Sequence, residues 1–274
     1  MREKELQGVW KMKRLFVLPV LLLTLLVSGN PASSAYFQKG LGAYNKGDFA
    51  TALREWTPLA EQGNAGAQFN LGWMYKYGKG VPQDDKTAVK WYKLAAEQGN
   101  ADAQNHLGLM YNNGQGVPQD YKTAVKWYKL ASKQGNAPAQ SNLGFMYASG
   151  QGVPQDYKTA VKWYKLAAEQ GNAIAQYSLG WMYYIGQGVP QDYKTAIKWH
   201  KLAAEEGNAI AQGNLGWMYN NGQGVPQDHK TAVKWFTLAA EQGDAIAQFN
   251  LGLLYKNGQG VPQDYKTAVK WYKL

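Results

Sequence analysis

The sequence predicts an all-α solenoid of stacked antiparallel helix pairs, and three observations carry that prediction. The stretch NAPAQSNLGFMYASGQGVPQDYKTAVKWYKLAAEQG, residues 136–171, recurs at a period of 36 residues, starting at Asn64, Asn100, Asn136, Asn172, Asn208 and Asp244. Each copy holds two apolar-periodic segments separated by a glycine-rich turn ending in Val-Pro, the signature of a helix pair. At every join a glycine is followed directly by Asn or Asp, a helix C-cap beside an N-cap, so the connections are too short to be flexible linkers. The last copy stops at Leu274, which leaves five full copies and one cut short.

Residues 1–35 stand apart from the repeats. Lys11, Lys13 and Arg14 precede an apolar run from Leu15 to Val27, followed by small residues ending at Ser33, Ser34 and Ala35. That is the layout of a secretory signal peptide, with cleavage expected after Ala35. A membrane span needs about 20 apolar residues, so an uncleaved anchor is the weaker alternative. Met12 heads a compact signal of its own, so either Met1 or Met12 serves as the start. Loss of five bases and two acids lowers the formal charge from +10 to +7. The chain has no cysteine, so neither a disulfide framework nor a lipid-attachment thiol is available, and stability rests on packing. A periplasmic or secreted monomer is expected, touching the membrane only through the signal segment before cleavage.

Residues 36–63 read as a shortened amino-terminal capping unit: Gly40, Tyr44, Gly47, Phe49, Ala52 and Trp56 keep the helix-pair spacing, but the Gly-Val-Pro turn is absent. Pro58 predicts a kink or early break in its second helix. In the full unit, Asn136 is placed to cap a helix over 137–147 whose apolar face is Ala139, Leu143 and Met146. Gly150 and Gly152 supply positive φ, Pro154 forces extended chain, and Asp156 caps a second helix running to about Gln170. Its buried face is expected to be Ala160, Trp163, Tyr164 and Ala167, with Lys158, Lys162, Lys165 and Glu169 opposite. Trp91, Trp127, Trp163, Trp199, Trp235 and Trp271 occupy one position of the unit and read as core.

The 36-residue length, the LGxMYxxGxGV turn and the KWYxLAAEQGNAxAQ join resemble the Sel1-like repeat of exported bacterial proteins, a relative of the tetratricopeptide repeat. The likeness covers 64–274, as units 64–99, 100–135, 136–171, 172–207, 208–243 and a truncated 244–274. It implies a right-handed superhelix whose first helices line a concave groove, and a role as an adaptor between other proteins. Carried onto this sequence, the groove positions fall on the residues that vary most between copies. One position holds Phe69, Asn105, Ser141, Tyr177, Gly213 and Phe249; the next holds Asn70, His106, Asn142, Ser178, Asn214 and Asn250. Three residues on stand Trp73, Leu109, Phe145, Trp181, Trp217 and Leu253. The partner-binding set is therefore Phe69, Asn70, Trp73, His106, Asn142, Phe145, Tyr177, Trp181, Asn214, Trp217, Phe249 and Asn250. Drift on a solvated face is the competing reading, against which stands the habit of exposed aromatic patches to mark interaction sites.

The second helices carry a lysine stripe, Lys86, Lys90 and Lys93 recurring to Lys266, Lys270 and Lys273 and broken once at Thr237. It reads as a solvated convex face, or more weakly as an attraction for anionic envelope polymers or headgroups; nucleic acid is not expected after export. Catalysis usually needs one asymmetric cluster, and the repeats offer few singular residues. His106, His200 and His229 are the only histidines, each at a different position of the unit, and no ligand spacing suggests a metal. No cofactor is expected. Cysteine-rich secreted members of the resembled family have been associated with penicillin binding and weak β-lactam hydrolysis, but this chain lacks their cysteines. The reading is a non-enzymatic scaffold, with β-lactam chemistry or envelope-polymer binding as alternatives.

Overall fold

A computed structural model describes residues 31–273, with side chains from residue 33. Residues 1–30 of the expected signal segment, with the start at Met1 or Met12, lie outside these residues, and its last five residues, 31–35, are the first residues of the first helix. Fourteen helices and no strand occur among the described residues: α1 (Pro31–Asn45), α2 (Phe49–Glu61), α3 (Ala65–Tyr77), α4 (Asp85–Glu97), α5 (Ala101–Asn113), α6 (Tyr121–Lys133), α7 (Ala137–Ser149), α8 (Tyr157–Glu169), α9 (Ala173–Ile185), α10 (Tyr193–Glu205), α11 (Ala209–Asn221), α12 (His229–Ala240), α13 (Ala245–Asn257) and α14 (Tyr265–Tyr272). Each helix packs chiefly against its neighbours in sequence, so the molecule is an α-solenoid.

Local chemistry sets these boundaries. The Asn136 side chain accepts from Ala139 N at 2.9 Å, a cap whose loss to alanine costs about 1 kcal/mol. Asp156 accepts from Thr159 N at 3.0 Å and from the Thr159 hydroxyl at 2.6 Å. These bonds hold its carboxyl below the ordinary aspartate value. The recurrent aspartates are therefore helix caps. At the turn, Gly150 and Gly152 have φ of 71° and 70°. Pro58 does not break α2, which continues to Glu61. The proline costs its own missing N–H bond, and the Gln62 amide still donates to Pro58 O at 3.1 Å, closing the last turn.

The core does not lie inside the sequence unit. Each hydrophobic cluster joins the second helix of one unit to the first helix of the next: Ala124, Val125, Tyr128 and Ala131 of α6 pack with Ala139, Leu143 and Met146 of α7. The same holds for α8 with α9 and for α10 with α11. A single unit therefore has its apolar surface on two outer sides, and stacking buries it. Within each unit an aromatic ring from the second helix packs directly against a glycine of the first. A Cβ on Gly108 would stand 2.6 Å from the Tyr128 ring, and Gly144 faces Tyr164 in the same way. The inner core position is thus Tyr92, Tyr128, Tyr164, His200 and Phe236, all buried. Trp163 and its equivalents, expected in the core, are half-buried and cover the clusters from outside.

A polar ladder crosses the repeats. Gln104 is buried, donates to Ala96 O at 3.0 Å and accepts from Gln134 Nε2 at 2.8 Å. Gln68 with Gln98, Gln140 with Gln170 and Gln212 with Gln242 repeat the pattern. Copy four carries Glu206 where the others have Gln. A carboxylate cannot donate, and the buried Gln176 Oε1 has no partner.

Candidate interaction groove

The expected groove positions lie on α3, α5, α7, α9, α11 and α13, and the structure divides them into a filled half and an open half. Phe69 and Asn70 are buried, which removes both from the candidate surface. Phe69 belongs to the core cluster of α4 and α5, its ring 5.8 Å from Tyr92 and 5.6 Å from His106. His106 is closed in by Trp73 edge-on at 5.3 Å and by Tyr92 stacked at 5.4 Å. Burial, with Lys76 nearby, lowers its pKa from the usual 6.5 to about 4. It is a packing residue and not a free hydrogen-bonding group. Trp73 is half-buried, with its indole N–H donating to the Tyr44 hydroxyl at 2.9 Å and its ring against Tyr77 at 4.3 Å. Asn142 donates to Asn105 Oδ1 at 2.9 Å. In the first copies, then, most of the variable side chains are engaged internally, while the buried Asn70 Nδ2 has no hydrogen-bond partner.

From α7 onward the same face opens. Phe145 is 51% exposed, Trp181 40%, Trp217 43% and Phe249 56%. Tyr177 is half-buried beside His200 at 5.8 Å. Asn250 Nδ2 donates to Ile246 O at 2.8 Å, whereas the buried Asn214 Nδ2 has no partner. Sequence reasoning missed the residues that complete the surface. Ile174, Ile210 and Ile246 are exposed at a position where the first three copies have Gly66, Asp102 and Pro138. The change from breaker and polar types to three isoleucines was the available signal. Aromatics and isoleucines together make an apolar strip on the later first helices, where Trp181, Ile210, Trp217 and Ile246 meet around one cleft, and exposed apolar surface of this kind marks interaction sites.

The strip deepens into a cleft of about 240 Å³ between α9, α11 and α13. Trp181, Tyr184, Trp217 and Ile246 are among its walls, and Gly213, Asn214, Met218, Phe236 and Asp244 also line it. The second helices present a different surface, since Lys158, Lys162 and Lys165 and their equivalents are exposed. Their pairings are long and wet, as in Lys165 with Glu169 at 3.9 Å, and such pairs contribute little. Among the described residues no helix is long and apolar enough to cross a membrane.

Helix pairs stacked by neighbour contacts alone, with an apolar strip left open on the first helices, define a helical repeat protein of the scaffold class. The chain belongs to the Sel1 repeat family, whose model matches residues 65–100, 101–136, 137–172, 173–208, 209–244 and 245–274. The family is generally one of non-enzymatic protein-interaction scaffolds. Among solved structures, a protective antigen of uropathogenic Escherichia coli strains with an SLR fold is 39% identical with a TM-score of 0.80. The match covers 88% of this chain and 52% of the antigen, so this chain spans about half of that protein's length. A Sel1 repeat protein from Oxalobacter formigenes is 33% identical with a TM-score of 0.79, over 87% of this chain and 95% of its own. An immunity protein from Pseudomonas aeruginosa, 20% identical with a TM-score of 0.51 over 81% of this chain and 85% of its own, shares the fold. The comparison with curated proteins returned no match.

Proposed function

We propose that the protein is an exported scaffold that holds an extended segment of a partner protein along its first helices. The binding energy would come mainly from the half that runs from α7 to α13. One observation carries this reading: Phe145, Trp181 and Trp217 are large aromatics left half-exposed on one strip, while their counterpart Trp73 is engaged internally. Rigid aromatics offer contact area at low entropic cost, and a few of them commonly dominate an interface. Lys158, Lys162 and Lys165 point to the other face, where they favour encounter more than affinity.

The test uses a partner captured from envelope extract by the wild-type protein. Trp181→Ala and Trp217→Ala should each weaken its binding by on the order of 2 kcal/mol, about thirtyfold. A triple Lys→Gln variant at 158, 162 and 165 should change equilibrium affinity by less than about twofold. Loss confined to the lysine variant, with both tryptophan variants folded and binding normally, would move the site to the convex face and favour an anionic polymer.

Export is inferred from the basic lead, the short apolar run and the small residues before Tyr36. Amino-terminal sequencing of envelope-fraction protein should begin at Tyr36. Recovery of chains that still begin at Met1 or Met12 would refute export with cleavage.

A further inference from the structure

We propose that the cleft between α9, α11 and α13 is the selective pocket of the groove and takes a basic side chain, arginine or lysine, from the bound segment. The inference rests on the groove reading above and goes further, to the chemistry of what is read. Six near-identical copies make departures easy to locate, and two of them meet here. Gly213 stands where the other copies carry Phe69, Asn105, Ser141, Tyr177 and Phe249. A Cβ at Gly213 would find nothing closer than the Asp244 carboxylate, 3.9 Å away. The missing side chain is what leaves the cleft open.

Asp244 is the second departure, because the other joins carry asparagine at Asn64, Asn100, Asn136, Asn172 and Asn208. Its Oδ1 accepts from Ala247 N at 2.7 Å. Asn208 makes the same bond to Ala211 N at 2.9 Å, so capping alone does not require the charge. No cation lines the cleft, and among the described residues Asp244 forms no ion pair. The α13 amino terminus contributes about half a positive charge, which the full carboxylate charge exceeds. Trp181, Trp217 and Tyr184 supply aromatic walls, with Trp181 and Tyr184 stacked on each other at 5.5 Å, and aromatic rings attract a guanidinium or ammonium more than a neutral or anionic group.

The experiment titrates the full chain with capped tripeptides carrying a central arginine, citrulline or glutamate between glycines, read by the indole N–H resonances of Trp181 and Trp217. Citrulline keeps the shape of arginine without its charge. The arginine peptide should shift both resonances and bind about tenfold tighter than the citrulline peptide. That preference should shrink on going from low to roughly molar sodium chloride. Asp244→Asn, which keeps the cap used at five other joins, should reduce the preference below about twofold, and Gly213→Phe should abolish binding of all three. Equal binding of arginine and citrulline, no shift with the arginine peptide, or a preference that survives Asp244→Asn would each overturn the pocket assignment. If captured partners still depend on Trp181 and Trp217 in that case, the groove reading stands and only its charge selectivity falls.

Discussion

Gly152→Ala should destabilise the array by roughly 2–5 kcal/mol, while Gly171→Ala, also at positive φ, should cost only about 1–2 kcal/mol. Both glycines lie in the left-handed region, at φ of 70° and 86°, where a β-carbon is strained by about 1–2 kcal/mol. They differ in surroundings. A Cβ on Gly171 would meet nothing within 4 Å, whereas one on Gly152 would run into the Tyr121 carbonyl and the Lys122 amide. Those atoms open α6, the second helix of the preceding unit, and backbone in a capped first turn cannot give way as a flexible side chain can. Forcing the atom in adds a further 1–3 kcal/mol or so. Gly116 against Asp85 and Gly188 against Tyr157 repeat the contact, so this glycine sets the spacing between stacked pairs. Urea and thermal unfolding followed by circular dichroism will check it. Equal losses for the two variants would mean that only the backbone conformation matters and that the close approach does not hold the stack.

His200→Phe should stabilise the protein, most strongly at mildly acidic pH. His200 occupies the inner position taken by Tyr92, Tyr128, Tyr164 and Phe236 in the other copies, is 0% exposed, and has no hydrogen-bond partner on either ring nitrogen. Burial lowers its pKa from 6.5 to about 4. Between those values the unfolded chain binds a proton that the folded array refuses. Stability therefore rises with pH across this window and is lost as the pH falls through it. The shift corresponds to about 3 kcal/mol lost by the wild type between neutrality and pH 4. His106, lowered to about 4 chiefly by burial, adds to the slope in the same window, so His200→Phe should remove part of the pH dependence and leave the rest. At neutral pH the gain should be about 1–3 kcal/mol, from no longer burying unpaired ring nitrogens. Phenylalanine fits because Phe236 already lies on Gly216 as His200 lies on Gly180. Urea melts from pH 4 to pH 8 for both proteins give the comparison, and parallel curves would contradict the assignment.

Much of the candidate site was legible before any coordinates, because the groove positions follow from helical spacing on a repeated unit. Trp181, Trp217, Phe145 and Phe249 are exposed as expected. Phe69, at the position of Phe249, and Asn70 are not. The face they share also borders the next first helix, and what that helix presents decides the outcome. His106 covers Phe69, and the residue at the His106 position in the fifth copy is the shorter Asn214. Ile174, Ile210 and Ile246 fall outside the three positions that the tetratricopeptide-like pattern assigns to the groove.

What the sequence determined by itself were the helices, their caps and their turns. Asn136, Asp156 and Gly150 act on atoms within a few residues of themselves, and a 36-residue period repeats those local interactions without reference to the rest of the chain. Tertiary structure decided where the core lies and which variable residues remain open. The clusters join α6 to α7 and α8 to α9 across the boundaries of the sequence unit, and Gln134 meets Gln104 thirty residues away. Burial is a property of two surfaces in contact. A tryptophan that is core-like by composition becomes a half-exposed wall at 181 and 217, and an internal donor at 73, according to the helix stacked beside it.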